Sequence, residues 1–172
     1  MKEIKAIVYC SNTGFTEAYA RMLSEELDLP VFSEKQAHLH LGSGDSVFFL
    51  GWVLGSSIKG LEKARKRYDV EGTASVGLVL TDQSVAEIRK RNKIADDAPF
   101  FALHGGLAIE KLHGFYKLVF KLGTKALERT SSAPADEKME TYKILTEGAS
   151  FLDRKNLKPI VSWYSKHFPV KK

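Results

Sequence analysis

The chain of 172 residues has a single cysteine, Cys10, which excludes an internal disulfide. It has no run of about 18 or more apolar residues of the kind that spans a bilayer. Its first residues lack the charged-then-apolar pattern of a signal peptide. A cytosolic protein is therefore expected, with contact at the inner face of a membrane as a peripheral option. The five histidines are scattered, and no His, Cys or carboxylate spacing suggests zinc. His38 and His40 occupy alternate positions of one segment, which reads as the solvated face of an extended strand. No internal repeat or low-complexity tract occurs, so one domain over 1–172 is expected.

The chain is organised around Ile7-Val8-Tyr9-Cys10-Ser11-Asn12-Thr13-Gly14-Phe15-Thr16. An apolar run stops at a small polar loop. Directly after it, Phe15, Ala18, Tyr19, Met22, Leu23 and Leu27 recur at helical spacing. A strand, a hydroxyl-rich turn and a helix make a setting for an anion. The first backbone N–H groups of the helix have no intrahelical partner, and the helix dipole favours negative charge there. Ser11, Thr13 and Thr16 add hydroxyl donors, and Gly14 permits a close approach or a positive φ. The loop has no lysine, so it is not the Gly-x4-Gly-Lys-Ser/Thr nucleotide loop; nor is it Gly-x-Gly-x-x-Gly. The plainer reading is a polar turn with Ser11 or Asn12 as the helix N-cap. Cys10 before such a loop invites comparison with Cys-x5-Arg phosphatases. The sixth residue after it is Thr16, not arginine, so nothing there would activate the thiol. Cys10 is expected to act as a small buried apolar residue.

Further along, apolar runs alternate with helical patterns. Strands are expected over Ile4 to Cys10, Leu29 to Phe32 (an edge, because of Pro30), Val47 to Trp52, Ala74 to Thr81 and Pro99 to His104. Helices are expected over Gly14 to Leu27, Ile58 to Tyr68, and Ser84, as cap, to about Lys93. Asn156 is placed to cap a final helix, with Pro159 in its first turn. Alternation of this kind implies an α/β fold with a parallel sheet and helices on both faces.

The loop spelling Ser11-Asn12-Thr13-Gly14-Phe15-Thr16 resembles the flavodoxin phosphate loop, Ser/Thr-x-Thr-Gly-x-Thr, which holds the phosphate of FMN. The resemblance implies a three-layer flavodoxin-like fold, a five-stranded parallel sheet of order 2-1-3-4-5, and FMN as cofactor. It also implies that the loops after strands one and three flank one crevice. Trp52, Val53, Leu54, Gly55 and Ser56 follow strand three, where indole and backbone groups can cover a flavin ring; Trp52 reads equally as a core residue at a strand end. Thr81 and Asp82 follow strand four. They are expected to offer backbone contacts, and Asp82 reads equally as the start of a helix.

From Leu107 the chain continues through Lys117, Lys121, Lys125 and Arg129, each four residues apart and so on one helical face. The segment 107–130 reads as an amphipathic helix with a solvated basic face, or as a helix that also approaches a membrane or an acidic partner. Phe101-Ala102-Leu103-His104-Gly105-Gly106-Leu107, Glu110-Lys111-Leu112 and the aromatic-basic stretch beyond resemble the flavodoxin-like branch that contains menaquinone-dependent protoporphyrinogen dehydrogenase. That resemblance implies an FMN-dependent oxidoreductase working with a redox partner protein or a quinone. No porphyrin-binding residue is identified by it. The net charge of +5 and the pI near 9.2 fit an acidic partner, an acidic small-molecule substrate or an anionic membrane surface. No nucleic-acid partner is expected. A flavodoxin-type electron carrier and a flavin-free binding module are the competing readings.

Overall fold

The computed structural model describes residues 2–78, 80–107 and 149–169. The chain divides into two compact units, Met1–Gly105 with Leu152–Lys172, and Gly106–Phe151. In the first unit, the described elements are strand β1 (Ala6–Cys10), helix α1 (Phe15–Leu27), β2 (Val31–Ser33) and a 3-10 turn (Ala37–Leu39). Then come β3 (Ser46–Leu54), β4 (Ser57–Ile58), α2 (Leu61–Arg65), β5 (Asp69–Gly77), α3 (Asp82–Arg91) and β6 (Phe100–His104). A 3-10 segment (Arg154–Leu157) leads into α4 (Lys158–His167). In the second unit, β7 (Gly106–Leu107) pairs antiparallel with β8 (Ala149–Ser150). The expected basic helix with Lys117, Lys121, Lys125 and Arg129 lies outside the described residues.

The main sheet is parallel in the order β2-β1-β3-β5-β6, the flavodoxin-like order that the resemblance implies once the short β4 is set aside. Strand alternation divides its side chains between two cores. Ile7, Phe48, Leu50 and Leu103 pack with Tyr19 and Leu23 of α1 and with Leu157 and Ile160 at the C-terminal end. Ala6, Val8, Val47 and Phe49 pack with Leu61 and Ala64 of α2, Ile88 of α3, and Ile94. Phe48 and Phe49 are adjacent, fully buried, and on opposite faces. Burying such a side chain contributes roughly 1.5–3 kcal/mol. Helices therefore cover both faces of the sheet, and its inner strands are buried on both sides, with Thr73 and Ser75 of β5 as buried polar residues among them.

Several boundaries differ from the expected ones. Strand β5 starts at Asp69 rather than Ala74, because it pairs with β3 from Ser46↔Asp69 to Trp52↔Val76. Its polar first residues gave no apolar signal. The helix expected over Ile58–Tyr68 is only Leu61–Arg65, because Ile58 is taken up by β4 and Tyr68 turns inward just before β5. His38 and His40 are not on a strand: His38 is in the 3-10 turn, and His40 stacks on Phe32 with ring centroids 4.4 Å apart. Asn156 is not a cap. Asp153 takes that role, accepting from Lys155 N at 2.8 Å, and the 3-10 segment runs directly into α4.

Gly72 explains a break in register. Val47 is opposite Val70 and Phe48 opposite Gly72, so Glu71 is an extra residue. A Cβ at Gly72 would lie 2.7 and 2.8 Å from carbons of the Phe48 ring and 3.1 Å from Trp163. The Phe48 and Trp163 rings meet at 5.8 Å over this gap. Gly72→Ala should overpack it and cost about 1–3 kcal/mol. The check is a lower urea midpoint at unchanged slope; an unmoved midpoint would show that the two rings yield without cost.

Candidate functional site at the carboxyl edge of the sheet

Register brings the strand ends to one edge. Cys10 is opposite Gly51, Gly51 opposite Ser75, and Ser75 opposite Ala102, while Gly77 meets His104. The chain leaves β1 toward β2 on one side, and β3 lies on the other. In open parallel sheets, ligands bind outside the carboxyl ends at such a reversal.

The loop Ser11–Thr16 sits there. Its N-cap is neither Ser11 nor Asn12 but Gly14, held at φ 97° with no side-chain cap. A side chain at that φ would be strained, which accounts for the glycine. The Gly14 N–H donates to Ser11 Oγ at 3.2 Å. The first intrahelical bond is Ala18 N–H to the Gly14 carbonyl at 2.9 Å. The N–H groups of Phe15, Thr16 and Glu17 thus have no intrahelical partner. Asn12 Nδ2 is buried and makes no hydrogen bond. Ser11, Asn12, Thr13, Gly14 and Phe15 are half-buried, whereas Thr16 is 1 % exposed. The Thr16 side chain is therefore fixed inside the start of the helix, and the more accessible hydroxyls are those of Ser11 and Thr13. Glu17, the acid of the first turn, is paired with Arg21 at 2.7 Å.

Strand β3 runs past the expected end at Trp52 to Leu54, and it turns into β4 as a hairpin rather than an open glycine-rich bend. Val53 pairs with Ile58 and Leu54 with Ser57. Gly55 at φ 54° and Ser56 at φ 60° make the two-residue turn, the left-handed pair that suits the twist of a tight hairpin. Asn92, at the end of α3, ties it down: Oδ1 accepts from Ile58 N at 2.8 Å, and Nδ2 donates to the Ser56 carbonyl at 2.8 Å and the Ile88 carbonyl at 2.7 Å. The Ser56 carbonyl is thus committed within the protein. Thr81 caps α3, accepting from Ser84 N at 3.2 Å, and Asp82 is the first helical residue. Both are exposed at the same edge as the ends of β5 and β6. Ser84, expected as cap, instead donates its hydroxyl to the Thr81 carbonyl at 2.8 Å.

Trp52 is half-buried near the end of β3, with its indole close enough to the Cys10 thiol to favour the thiolate slightly. It is thereby brought to the end of β1, next to Ser11. Burial and the nearby Glu34 carboxylate push the thiol from an ordinary 9.0 up to about 11. Cys10 is thus a protonated, partly buried group, in keeping with the absence of an arginine six residues on. Because the folded state holds the proton more tightly, this site's contribution to stability is present below pH 9 and disappears as pH climbs through about 11. Wild type should therefore lose stability relative to Cys10→Ser across that interval in pH-dependent urea titrations. Parallel curves for the two proteins would contradict the placement.

Two organising residues carried no sequence signal. The Tyr19 hydroxyl donates to the His104 carbonyl at 2.7 Å and accepts from Asn156 Nδ2 at 2.6 Å and Asp153 N at 3.3 Å, linking α1 to the end of β6 and the C-terminal segment. Tyr19 reads as one more apolar helix position, and Asn92 as a helix terminus. Only the fold shows what each holds.

These residues fit the phosphate end of a flavin mononucleotide: unfilled helix N–H groups, a buried amide without a partner, and hydroxyls of Ser11 and Thr13 around a left-handed glycine. No family model, curated protein or solved structure matches the chain. Among the described residues, no helix is long and apolar enough to cross a membrane.

Proposed function

We propose that this chain is an FMN-binding redox protein, an oxidoreductase of the protoporphyrinogen dehydrogenase type that exchanges electrons with a quinone or a partner protein. The observation that carries the reading is the loop Ser11–Thr16. It places a buried, unpartnered Asn12 amide and an uncapped helix start at the reversal point of a parallel sheet. Ser11, Asn12, Thr13 and the backbone of Gly14, Phe15 and Thr16 hold the phosphate. Trp52 and the hairpin Val53–Ser56 border the ring from one side, with Thr81 and Asp82 at the same edge. FMN, when bound, supplies the electron chemistry. The protein's part is to anchor the phosphate, orient the ring and restrict water. No side chain of this chain is assigned a proton-transfer role.

A net charge of +5 suits an acidic substrate such as a porphyrinogen carboxylate, and a basic surface suits peripheral contact with an anionic membrane. The purified protein should show flavin absorption bands and oxidise protoporphyrinogen when a quinone is supplied. A flavin-loaded protein that is reduced by a flavodoxin reductase but does not turn over porphyrinogen would be an electron carrier. A colourless protein that takes up no FMN would overturn the reading and leave a binding module.

A further inference from the structure

A second concave site lies between the 3-10 turn Ala37–Leu39 and α2. It has a volume of about 400 Å³, within the range of small-molecule sites. Lys35, His38, Lys63 and Arg67 line it together with Glu34, over a floor that includes Ala64 and Tyr68. None of these residues belongs to the loop Ser11–Thr16 or to the hairpin after β3. The charges do not cancel. Glu34 is committed to Lys63 at 2.7 Å. Lys35 and Arg67 have no carboxylate partner among the described residues, so two positive charges remain unneutralised. The Arg67 guanidinium carbon lies 5.9 Å from the centre of the Tyr68 ring. Tyr68 is 5 % exposed, yet its hydroxyl has no hydrogen-bond partner. A buried hydroxyl left without a partner costs free energy, and a native structure rarely keeps one without reason.

We infer that this groove binds the phosphate group of a small phosphorylated metabolite, separate from the proposed FMN site. Arginine presents a planar fork of donors matched to phosphate oxygens, and Lys35 adds a point charge. The Tyr68 hydroxyl supplies a neutral donor, and the Tyr68 ring with Ala64 gives an apolar wall for the body of the ligand. A carboxylate ligand would use the fork but leave the second cation without a role.

The test is a titration of nitrogen-15-labelled full-length protein with inorganic phosphate, at an ionic strength held constant with sodium chloride. Backbone amide shifts of residues 34–38 and 63–68 are followed separately from those of 11–16. The proposal expects saturating shifts in the first two segments. Arg67→Gln, a change at an exposed position, should weaken them at least about fivefold, and Arg67→Lys should recover part of the loss. Shifts that rise linearly without saturation would overturn the assignment. So would a saturation curve that Arg67→Gln leaves unchanged while the rest of the spectrum stays native.

Discussion

Ser11→Ala combined with Thr13→Ala should lower FMN affinity at least a hundredfold. Each hydroxyl is a potential donor to a charged phosphate, and such bonds contribute about 1.5–3 kcal/mol. Two of them amount to about 3–6 kcal/mol, and about 1.4 kcal/mol corresponds to tenfold. Both residues are half-buried and lie before the first helical residue, so the fold should tolerate their truncation. Ser11 also accepts the Gly14 N–H, so some of the loss would come from a looser loop. Calorimetric titration of the apoprotein checks the result, with thermal melting to confirm that the variant is folded. An affinity within threefold of wild type would show that the phosphate is held elsewhere. Thr16 is left out of this variant because it is 1 % exposed, and its truncation would mix a packing defect with any loss of binding.

The second large effect belongs to Asn92. Its side chain serves Ile58 N, the Ser56 carbonyl and the Ile88 carbonyl, and so fixes the hairpin that follows β3 to the end of α3. Asn92→Ala leaves Ile58 N and the Ser56 carbonyl without this partner, at about 1–3 kcal/mol each, while the Ile88 carbonyl keeps the backbone N–H of residue 92 at 3.1 Å. With some recovery by water, the net loss of stability should be about 2–4 kcal/mol. The hairpin should be freed as well. Hydrogen exchange at Val53 to Ile58 should accelerate more than in the centre of β3, and FMN affinity should fall if these residues border the ring. Asn92→Asp keeps the acceptor for Ile58 N and should lose less than alanine does. Equal stability of Asn92→Ala and wild type would mean that the hairpin is held by packing of Ile58 alone.

The parts of the fold that were legible in the sequence are those set by local pattern. The apolar run into Ser11, the helical spacing from Phe15 to Leu27 and the alternation of elements lead to a parallel sheet with helices on both faces, while its strand order was implied only by the resemblance of the Ser11–Thr16 loop to flavodoxin. Where long-range pairing decides, the pattern misleads. Strand β5 begins in Asp69-Val70-Glu71-Gly72, a stretch polar enough to pass for a loop, because β3 offers it partners from Ser46 onward. In the sequence Ile58 reads as the start of a helix that runs on to Tyr68 with Lys63, Lys66 and Arg67 on one face. Gly55 and Ser56 instead turn the chain back as β4, which ends at Ile58. Asn156 has the composition of a cap, but its amide is used by Tyr19, more than a hundred residues away. At the candidate site, the residue types and their order could be read directly. The identity of Gly14 as N-cap, the inward position of Thr16 and the contact of Trp52 with Cys10 could not, because each depends on how β1, α1 and β3 meet.

The central claim is that the loop after β1 anchors a phosphate ester. It is tested most directly by titrating the apoprotein with FMN and with riboflavin under the same conditions. The two ligands share the ring and the ribityl chain and differ in the phosphate alone. An anchor built from uncapped helix N–H groups, the Asn12 amide and the Ser11 and Thr13 hydroxyls predicts that FMN binds at least a hundredfold more tightly, and that the difference collapses in the Ser11→Ala, Thr13→Ala variant. Equal affinity for the two ligands, or no binding of either, would contradict it.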